Sequence, residues 1–305
     1  MSKNSTTLLK QFRSFYFQNA FSDIEKAIEY FCVFGGTSWN IDSEKPLYEL
    51  IVTKVLKNYT YIHADMTKLT HSNKLSHALL SACAMGDRRV YSSYKRARLS
   101  REEGNEALHA LLRSNIVVRE YSIERPLSEE DDNSDKLDFA TPFIRFWFAF
   151  VSPYYKSIKE GNYEEVEKAF SNREQSFCDL IFTKLSQSLL QKTWIDDPII
   201  EIGGYWDKNC DIDILAKTKS GKLIAGACKY TQSKVKKTEL SRLKEQCELA
   251  QLEPDTYVIF AKSGFSSELK SLKSETLKLF TVKSLKPLIE DVSEKDFIAC
   301  EGKKY

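Results

Sequence analysis

Long apolar runs are scarce in this sequence of 305 residues. The most apolar stretch, Phe139 to Val151, is shorter than the roughly 20 residues that a bilayer-spanning helix needs, and it contains Arg145. The first residues mix polar and aromatic side chains, which is not the pattern of a signal peptide. We therefore expect no membrane partner, and we expect the apolar stretch to be a buried core element.

Cysteine, histidine and glycine occur without the spacings that indicate common kinds of site. The seven cysteines include no C-x-x-C pair, and the four histidines show neither zinc-ligand nor triad spacing. Gly35-Gly36 lacks the lysine of a P-loop, so we expect no ATP binding. Scattered, unpaired cysteines are typical of a reducing compartment, and we expect the protein to be cytoplasmic.

Charge is plentiful but nearly balanced, with a formal net charge of +2. A nucleic-acid partner would therefore need a local basic surface. The length predicts about two domains. The patterns divide the chain into a helical N-terminal segment (1–73), a helical and hairpin unit (74–140), a helical connector (141–172) and an α/β domain (173–305). The predicted fold class is thus α+β, with helices first and an α/β domain after them.

The second unit has the pattern of three short helices followed by a hairpin. Leu75 to Met85 and Arg88 to Arg98 are the first two helices, and a capping box of Ser100 and Glu103 begins the third. Ile116 to Tyr121 and Leu137 to Phe139 read as strands on either side of the acidic stretch 128–135. This order predicts a winged helix-turn-helix, whose third helix can enter the DNA major groove.

Basic residues concentrate on the second helix and at the start of the third. These candidate phosphate contacts are Arg88, Arg89, Lys95, Arg96, Arg98 and Arg101. Glu102, Glu103 and Glu106 fill the first turn of the third helix, where they suit the helix dipole but repel phosphate. Two interpretations stay open for this unit: DNA binding, and a winged helix used only for protein contacts.

A hairpin in the last third of the chain brings an aspartate and a lysine together. Asp211 to Leu215 and Leu223 to Lys229 alternate as strands around the turn Lys219 to Lys222. Strand alternation places Asp211, Asp213 and Leu215 on one face. We expect the side chains of Asp213 and Lys229 to meet in one site.

This pattern resembles the core of the PD-(D/E)XK, or restriction-endonuclease-like, nucleases. The resemblance implies that Asp213 is a metal ligand and Lys229 the catalytic lysine, with Mg²⁺ or Mn²⁺ as cofactor if the protein is active. Ala227 stands where the resemblance implies a second acid. Asp211 and Glu201 are candidate substitutes for that acid. The alternative is a structural ion pair between Asp213 and Lys229, which we favour because losing one of two carboxylates weakens a hard-cation site.

Over its latter two-thirds the chain resembles the C-terminal region of archaeal-type P-loop ATPases, a winged helix followed by a nuclease-like domain. The motifs that carry the resemblance are 137–151, Gly203-Gly204-Tyr205-Trp206-Asp207, 211–214, Gly226-Ala227-Cys228-Lys229-Tyr230 and 260–265. The ATPase domain is absent from this sequence, so the resemblance implies no ATP hydrolysis. It allows a separate ATPase as a protein partner.

Three functions follow as expectations. The first is a nucleic-acid-associated protein, with DNA as the expected partner and a nuclease-like domain whose metal site is degraded. The second is an active divalent-metal-dependent DNA nuclease that uses a substituted carboxylate. The third is a protein-interaction module without a nucleic-acid role.

Overall fold

The N-terminal part of the chain is helical. The structure, a computed structural model, describes residues 3–123 and 135–290, with side chains from Leu8 onward. The elements of this part are α1 (Lys3–Gln18), α2 (Ile24–Phe34), α3 (Leu47–Leu50), which continues as a π-helix (Ile51–Leu56), and α4 (Tyr59–Leu69). Rings of Phe12, Phe15 and Phe31 meet at 5.2–5.5 Å between centroids and form the centre of this bundle. Helix α4 was not predicted, because its apolar positions are few.

The helices and strands predicted for the second unit are present. They are α5 (Lys74–Met85), α6 (Val90–Ala97), α7 (Arg101–Arg113), and strands β1 (Val117–Glu120) and β2 (Lys136–Phe139), which pair antiparallel. The predicted capping box is confirmed: Ser100 Oγ accepts from the Glu103 amide at 3.2 Å, and a Glu103 carboxylate oxygen accepts from the Ser100 amide at 2.8 Å. Residues 128–134 of the acidic stretch lie outside the described residues.

The aromatic stretch after Pro142 is buried, as predicted. It forms α8 (Pro142–Phe146) and continues as a π-helix (Trp147–Val151). Phe146, Phe148 and Phe150 are each 0 % exposed. A helix that is apolar on every side must be covered on every side, and α2, α5 and α10 surround this one. A short 3₁₀ turn (Ser152–Tyr154) and α9 (Tyr155–Lys159) follow.

Helix α10 (Glu164–Thr193) is one continuous helix of 30 residues. The sequence pattern predicts a connector up to 172 and a separate helix from Gln175, so the predicted boundary at 172/173 falls inside a single helix. Helical propensity carries through residues 171–174, which contain neither glycine nor proline. The helix contacts α1, α2, the π-helix after α8, and the sheet that follows it.

The C-terminal part is a mixed sheet covered by helices on both faces. Its elements are β3 (Ile199–Trp206), β4 (Asp211–Thr218), β5 (Leu223–Lys229), α11 (Lys237–Leu249), β6 (Thr256–Ala261), α12 (Ser267–Ser271), β7 (Leu277–Thr281), a 3₁₀ turn (Val282–Leu285) and α13 (Pro287–Glu290). Strands lie in sequence order, antiparallel from β3 to β5 and parallel from β5 to β7.

The predicted fold class, a helical N-terminal part followed by an α/β domain, agrees with this architecture. Helix α10 packs on one face of the sheet, against Ile214, Cys228 and Phe260, while Leu243 of α11 packs with Leu215 on the other. In residues 3–290, leaving aside 124–134, no helix combines the length and apolarity needed to cross a bilayer.

Candidate functional site

The two central antiparallel strands separate at Asp213. Strand β4 pairs with β5 from Lys217–Leu223 to Ile214–Gly226, and the described pairing stops there. Beyond that point Asp213 Oδ2 accepts a hydrogen bond from the Cys228 amide at 2.8 Å. The carboxylate thus occupies the place of a main-chain carbonyl, since an exposed strand edge must find partners for its N–H groups.

A β-bulge lies at the same point. Gly203 pairs with Leu215 but Tyr205 pairs with Ile212, so two residues of β4 face one residue of β3. As a result Ile212 and Leu215 pack in the same apolar cluster, while Ile214 packs in another. The predicted strict alternation along Asp211, Asp213 and Leu215 is therefore wrong, because the bulge resets which face each side chain takes.

Helix α10 supplies a second carboxylate to the same strand edge. Asp179 Oδ1 accepts from the Tyr230 amide at 2.8 Å. Amides two residues apart on a strand point the same way, so Asp179 and Asp213 both bind the edge of β5 that β4 has left. Lys229 lies between the two amides in sequence. Sequence reasoning missed Asp179 because nothing in the periodicity of a long helix distinguishes one aspartate that faces a strand end.

The electrostatics of this edge disfavour two charged carboxylates. The pKa of Asp179 is raised to about 6: burial is the largest cause, the charge of nearby Asp213 adds to the rise, and the Tyr230 amide and Lys229 oppose it. Burial also raises the pKa of Asp213, which the Cys228 amide and Lys229 oppose. Each acid is thus held by a backbone amide in an environment that favours its neutral form.

Lys229 forms its salt bridge with Glu239. The predicted ion pair between Lys229 and Asp213 is therefore wrong. Its Nζ lies 3.1 Å from Glu239 Oε1 on α11, and both side chains are mostly buried. The aspartate is held in the sheet edge by the Cys228 amide, whereas α11 covers the face that Lys229 shares with Ala227. The charge of Lys229 still acts on the pKa of Asp213. Its salt bridge, however, is formed with α11, a helix that the sequence pattern did not connect to Lys229.

Neither predicted substitute acid is available at this site. Asp211 is paired with Lys136 at 2.6 Å and with Arg89 at 3.4 Å. Glu201 is exposed and lies opposite Lys217, four residues along β4 from Asp213, or roughly 13 Å at the usual rise of a strand. The structure therefore contradicts both predicted substitutes: the charge of Asp211 is neutralised by Lys136 and Arg89, and Glu201 lies far from Asp213.

The residues present do not fit a magnesium- or manganese-type site. Ala227, which is 5 % exposed, packs in an apolar cluster with Leu243 and Cys247. In the described part of the chain, no three histidine, cysteine, aspartate or glutamate side chains form a group that would hold a metal ion. Hard cations require more oxygen ligands than two amide-bound carboxylates supply.

The six predicted phosphate contacts separate into two groups. Arg88 is only 12 % exposed and its Nη1 donates to Glu120 at 2.9 Å and to Asp138, so it is unavailable to phosphate. Arg89, Lys95 and Arg101 line a surface groove of about 420 Å³ with Tyr91.

The two other members of the basic set, Arg96 and Arg98, are outside the residues that line this groove. Arg98 is exposed and ends α6 in the left-handed conformation, with φ of 57°. Arg96 is exposed but lies over Gly86, where an added Cβ would come within 2.3 Å of its Nη1. Arg89 Nη1 also donates to the Asp207 carbonyl at 2.8 Å. Through Arg89 the groove therefore adjoins the β3–β4 turn at Asp207 and the start of β4 at Asp211.

A buried charge network joins the three-helix unit to α10. Asp138 accepts from Arg88 and from Lys184, and Lys184 also lies 3.2 Å from Glu120. All four side chains are at most 19 % exposed. The sequence analysis placed Arg88 on a DNA-facing surface. Its carboxylate partners are 32 and 50 residues away in the sequence, so the local pattern does not show that the arginine is paired and buried.

A model of the DUF234 family, described as archaeal and bacterial proteins of unknown function, matches residues 147–241. No curated protein and no solved structure matches the chain. The matched range contains the strand-edge residues Asp179, Asp213, Lys229 and Glu239. It lies within the part that resembles the C-terminal region of archaeal-type ATPases, and it supports that resemblance there.

Replacing Asp179 with asparagine is expected to stabilise the protein above pH 6. The raised pKa means that the folded state holds this proton more tightly than the unfolded state, so stability from this group is lost as pH rises from about 4 to about 6. Asparagine keeps an acceptor for the Tyr230 amide and avoids the buried charge. At about 1.4 kcal/mol per pKa unit, reduced for partial exposure, we expect a gain of about 1–3 kcal/mol at pH 8.

Urea unfolding at pH 4, 6 and 8 measures this difference. The gain should shrink towards pH 4, where the native aspartate is protonated. The exposed Asp196→Asn controls for the loss of one negative charge. An Asp179→Asn protein that is less stable than the parent at pH 8 would show that the carboxylate is a stabilising partner of Lys229.

Proposed function

We propose that this protein binds duplex DNA through a winged helix and carries a nuclease-like domain that no longer cleaves. The order α5–α6–α7–β1–β2, with an additional bridge between Arg89 and Lys136, supports the winged-helix interpretation of residues 74–140. The strand order supports a PD-(D/E)XK-like interpretation of the sheet, and so do the two aspartates, Asp179 and Asp213, that lie where β4 and β5 separate. The winged-helix interpretation bears on how the protein would contact DNA, and the PD-(D/E)XK-like interpretation bears on the evolutionary origin of the sheet.

The basic groove is the observation that carries DNA binding. Lys95 and Arg101 are exposed and line one groove, and the exposed Arg98 precedes Leu99, which also lines it. The Arg101 guanidinium lies 5.2 Å from the Tyr91 ring centroid. Such a cluster suits phosphate contacts, which provide affinity without reading sequence. The exposed Glu102 and Glu106 of α7 oppose close approach to base edges. We therefore propose binding that depends on the DNA backbone more than on base sequence.

Loss of cleavage rests on Ala227 and Glu239. An alanine removes one oxygen ligand, and the salt bridge from Lys229 to Glu239 engages the lysine that would stabilise charge on a phosphate. The competing function is an active nuclease in which Asp179 replaces the missing acid. The position of Asp179 on the same strand edge as Asp213 favours that alternative. Incubation with plasmid and Mg²⁺ or Mn²⁺ separates the two: cleavage that Asp213→Ala abolishes would establish the nuclease.

Changing Lys95, Arg98 and Arg101 together to glutamine is expected to weaken duplex binding at least tenfold at 100 mM salt. Each lost phosphate contact should also reduce the slope of log K against log salt by about 0.9. Fluorescence anisotropy with a 20-base-pair duplex, at three salt concentrations, measures both quantities.

The matched control changes three exposed lysines elsewhere, Lys219, Lys222 and Lys273, to glutamine. It alters the net charge equally and leaves the groove intact. Equal weakening in both variants would mean that the attraction is general and has no site. Absence of any binding at low salt would favour the third function, a protein-interaction module with a partner such as a separate ATPase.

A further inference from the structure

The basic groove beside α6 also contains aromatic and aliphatic side chains. Tyr91 and Leu99 are partly exposed and line the groove together with the buried ring of Tyr94. Lys95 and Arg101 are exposed cations of the same groove. Contacts to phosphate need cations and hydrogen-bond donors, and they do not need rings. The groove therefore has a second kind of surface, which binding to a duplex backbone does not explain.

Contacts within the groove fix the orientation of the Tyr91 ring. Arg101 Nη2 donates to the Tyr91 hydroxyl at 3.0 Å, and the Arg101 guanidinium lies 5.2 Å from the ring centroid. The Tyr94 ring lies 5.9 Å from the Tyr91 ring between centroids, with 82° between the ring planes. Tyr94 is itself held, since its hydroxyl donates to Asn105 Oδ1 at 3.0 Å. A ring that is already held in place loses little further side-chain entropy when another ring stacks on it.

The charges at the groove favour an anion. Among the described residues that line the groove, Arg89, Lys95 and Arg101 are cations and none is acidic. Asp211 lies 3.4 Å from Arg89, but it has a closer lysine partner at 2.6 Å. The acids at 102–103 follow Arg101 in the sequence and are not among the lining residues. The wall of the groove is therefore positive beside an aromatic ring.

An unpaired nucleotide combines a flat ring with negative charge. In a duplex each base is paired and stacked, so presenting its face to a protein costs unstacking energy. A nucleotide of a single-stranded overhang has no partner strand to leave. Its base can stack on Tyr91 while its phosphates contact Lys95 and Arg101. Such stacking accepts any base, which agrees with the sequence-independent binding proposed above.

We propose that the basic groove binds the first unpaired nucleotide of a duplex that ends in a single-stranded overhang. The base stacks on Tyr91 beside the aliphatic side chain of Leu99, and the phosphates on either side of it contact Lys95 and Arg101. This preference depends on the proposed DNA binding and specifies the form of DNA that the site takes. An acidic segment of a protein is the competing occupant, because it would use the same cations.

Fluorescence anisotropy of the full chain compares three labelled DNAs that share one 20-base-pair duplex. One has blunt ends, one has an overhang of four thymidines, and one has the same overhang without its bases; the two overhangs are made in 5′ and 3′ versions. We expect the thymidine overhang to bind about fivefold or more tightly than the abasic overhang, because the two carry the same phosphates and differ only in the base that stacks.

Variants assign the stacking to Tyr91. Tyr91→Leu should make the affinities for the thymidine and abasic overhangs equal, whereas Tyr91→Phe keeps the ring and should keep the preference. The matched control is Tyr61→Leu, which removes a tyrosine that is 78 % exposed on α4 and should leave the preference unchanged. The comparison of the two overhangs uses the unaltered chain, so it decides the question even if Tyr91→Leu fails to fold.

Equal affinities of the unaltered chain for the two overhangs, or a preference that Tyr91→Leu leaves unchanged, would overturn the overhang site. Continued binding of the blunt duplex would then leave the proposed function in place. Absence of binding to all three DNAs would overturn both. A labelled polyglutamate peptide tests the competing occupant: peptide binding that Tyr91→Leu weakens, together with equal affinities for the two overhangs, would assign the groove to an acidic protein partner.

Discussion

Replacing Asp138 with alanine is expected to lower the free energy of unfolding by about 3–5 kcal/mol, the usual cost of breaking a buried ion pair by removing one partner. Asp138 accepts from both Arg88 and Lys184. Without it, two buried cations share Glu120 alone. For a chain of this size the loss corresponds to a fall in melting temperature of roughly 6–15 °C.

Thermal and urea unfolding measure the effect, with the exposed Glu253→Ala as the control for charge. The double variant Asp138→Leu/Lys184→Met gives a sharper comparison. It removes one cation with the anion and leaves Arg88 paired with Glu120. We expect it to lose less stability than Asp138→Ala although it changes more atoms. A single variant that loses under 1 kcal/mol would show that water reaches and solvates the network.

Replacing Ala227 with glutamate is expected to create a response to Mn²⁺ that the parent protein lacks. The new carboxylate would share a strand face with Lys229 and lie beside the Asp213 edge. Because Ala227 packs with Leu243 and Cys247, the glutamate should first destabilise the protein by about 1–3 kcal/mol, the cost of an unsatisfied buried polar group. Added Mn²⁺ should then restore about 2.7 kcal/mol at a hundredfold excess over Kd.

The melting temperature of each variant with and without Mn²⁺ measures the response, and plasmid cleavage under the same conditions tests whether the site is also catalytic. Ala227→Gln has the same size without the charge and should not respond. Ala227→Glu/Asp213→Asn should lose the response. An equal Mn²⁺ effect on the parent protein would mean that its existing carboxylates already bind the ion and that our interpretation of a degraded site is wrong.

Local signals predicted most of the secondary structure. The capping box at Ser100 placed the start of α7, the contiguous aromatic stretch after Pro142 indicated a helix buried on every side, and the turn at 219–222 placed the β4–β5 hairpin. Each of these depends on neighbours within a few residues. The prediction divided helix α10 because its N-terminal half is polar and its C-terminal half is apolar. This difference changes what each half packs against, but the backbone stays helical throughout.

The site could be predicted only in part, because its contacts are long-range. Asp213 and Lys229 were found from the hairpin pattern, but the bulge at Asp213 depends on how β3 pairs with β4. Asp179 reaches the Tyr230 amide across 51 residues, and Glu239 approaches Lys229 from a different helix. Arg88 shows the reverse error: its charge suggested a surface role, whereas carboxylates from two later strands bury it.

The first and last described helices, α1 and α13, are joined by a hydrogen bond. Arg13 Nε of α1 donates to the Leu288 carbonyl of α13 at 2.6 Å, and Lys192 Nζ of α10 donates to the neighbouring Pro287 carbonyl at 2.6 Å. Helix α13 is synthesised after all the other described elements, so α1 cannot make this contact until the chain has been made at least to Leu288. Synthesis from the N-terminus would therefore leave this face of α1 uncovered until late in translation, and the N-terminal helices would complete their packing only after the strands of the sheet have been synthesised.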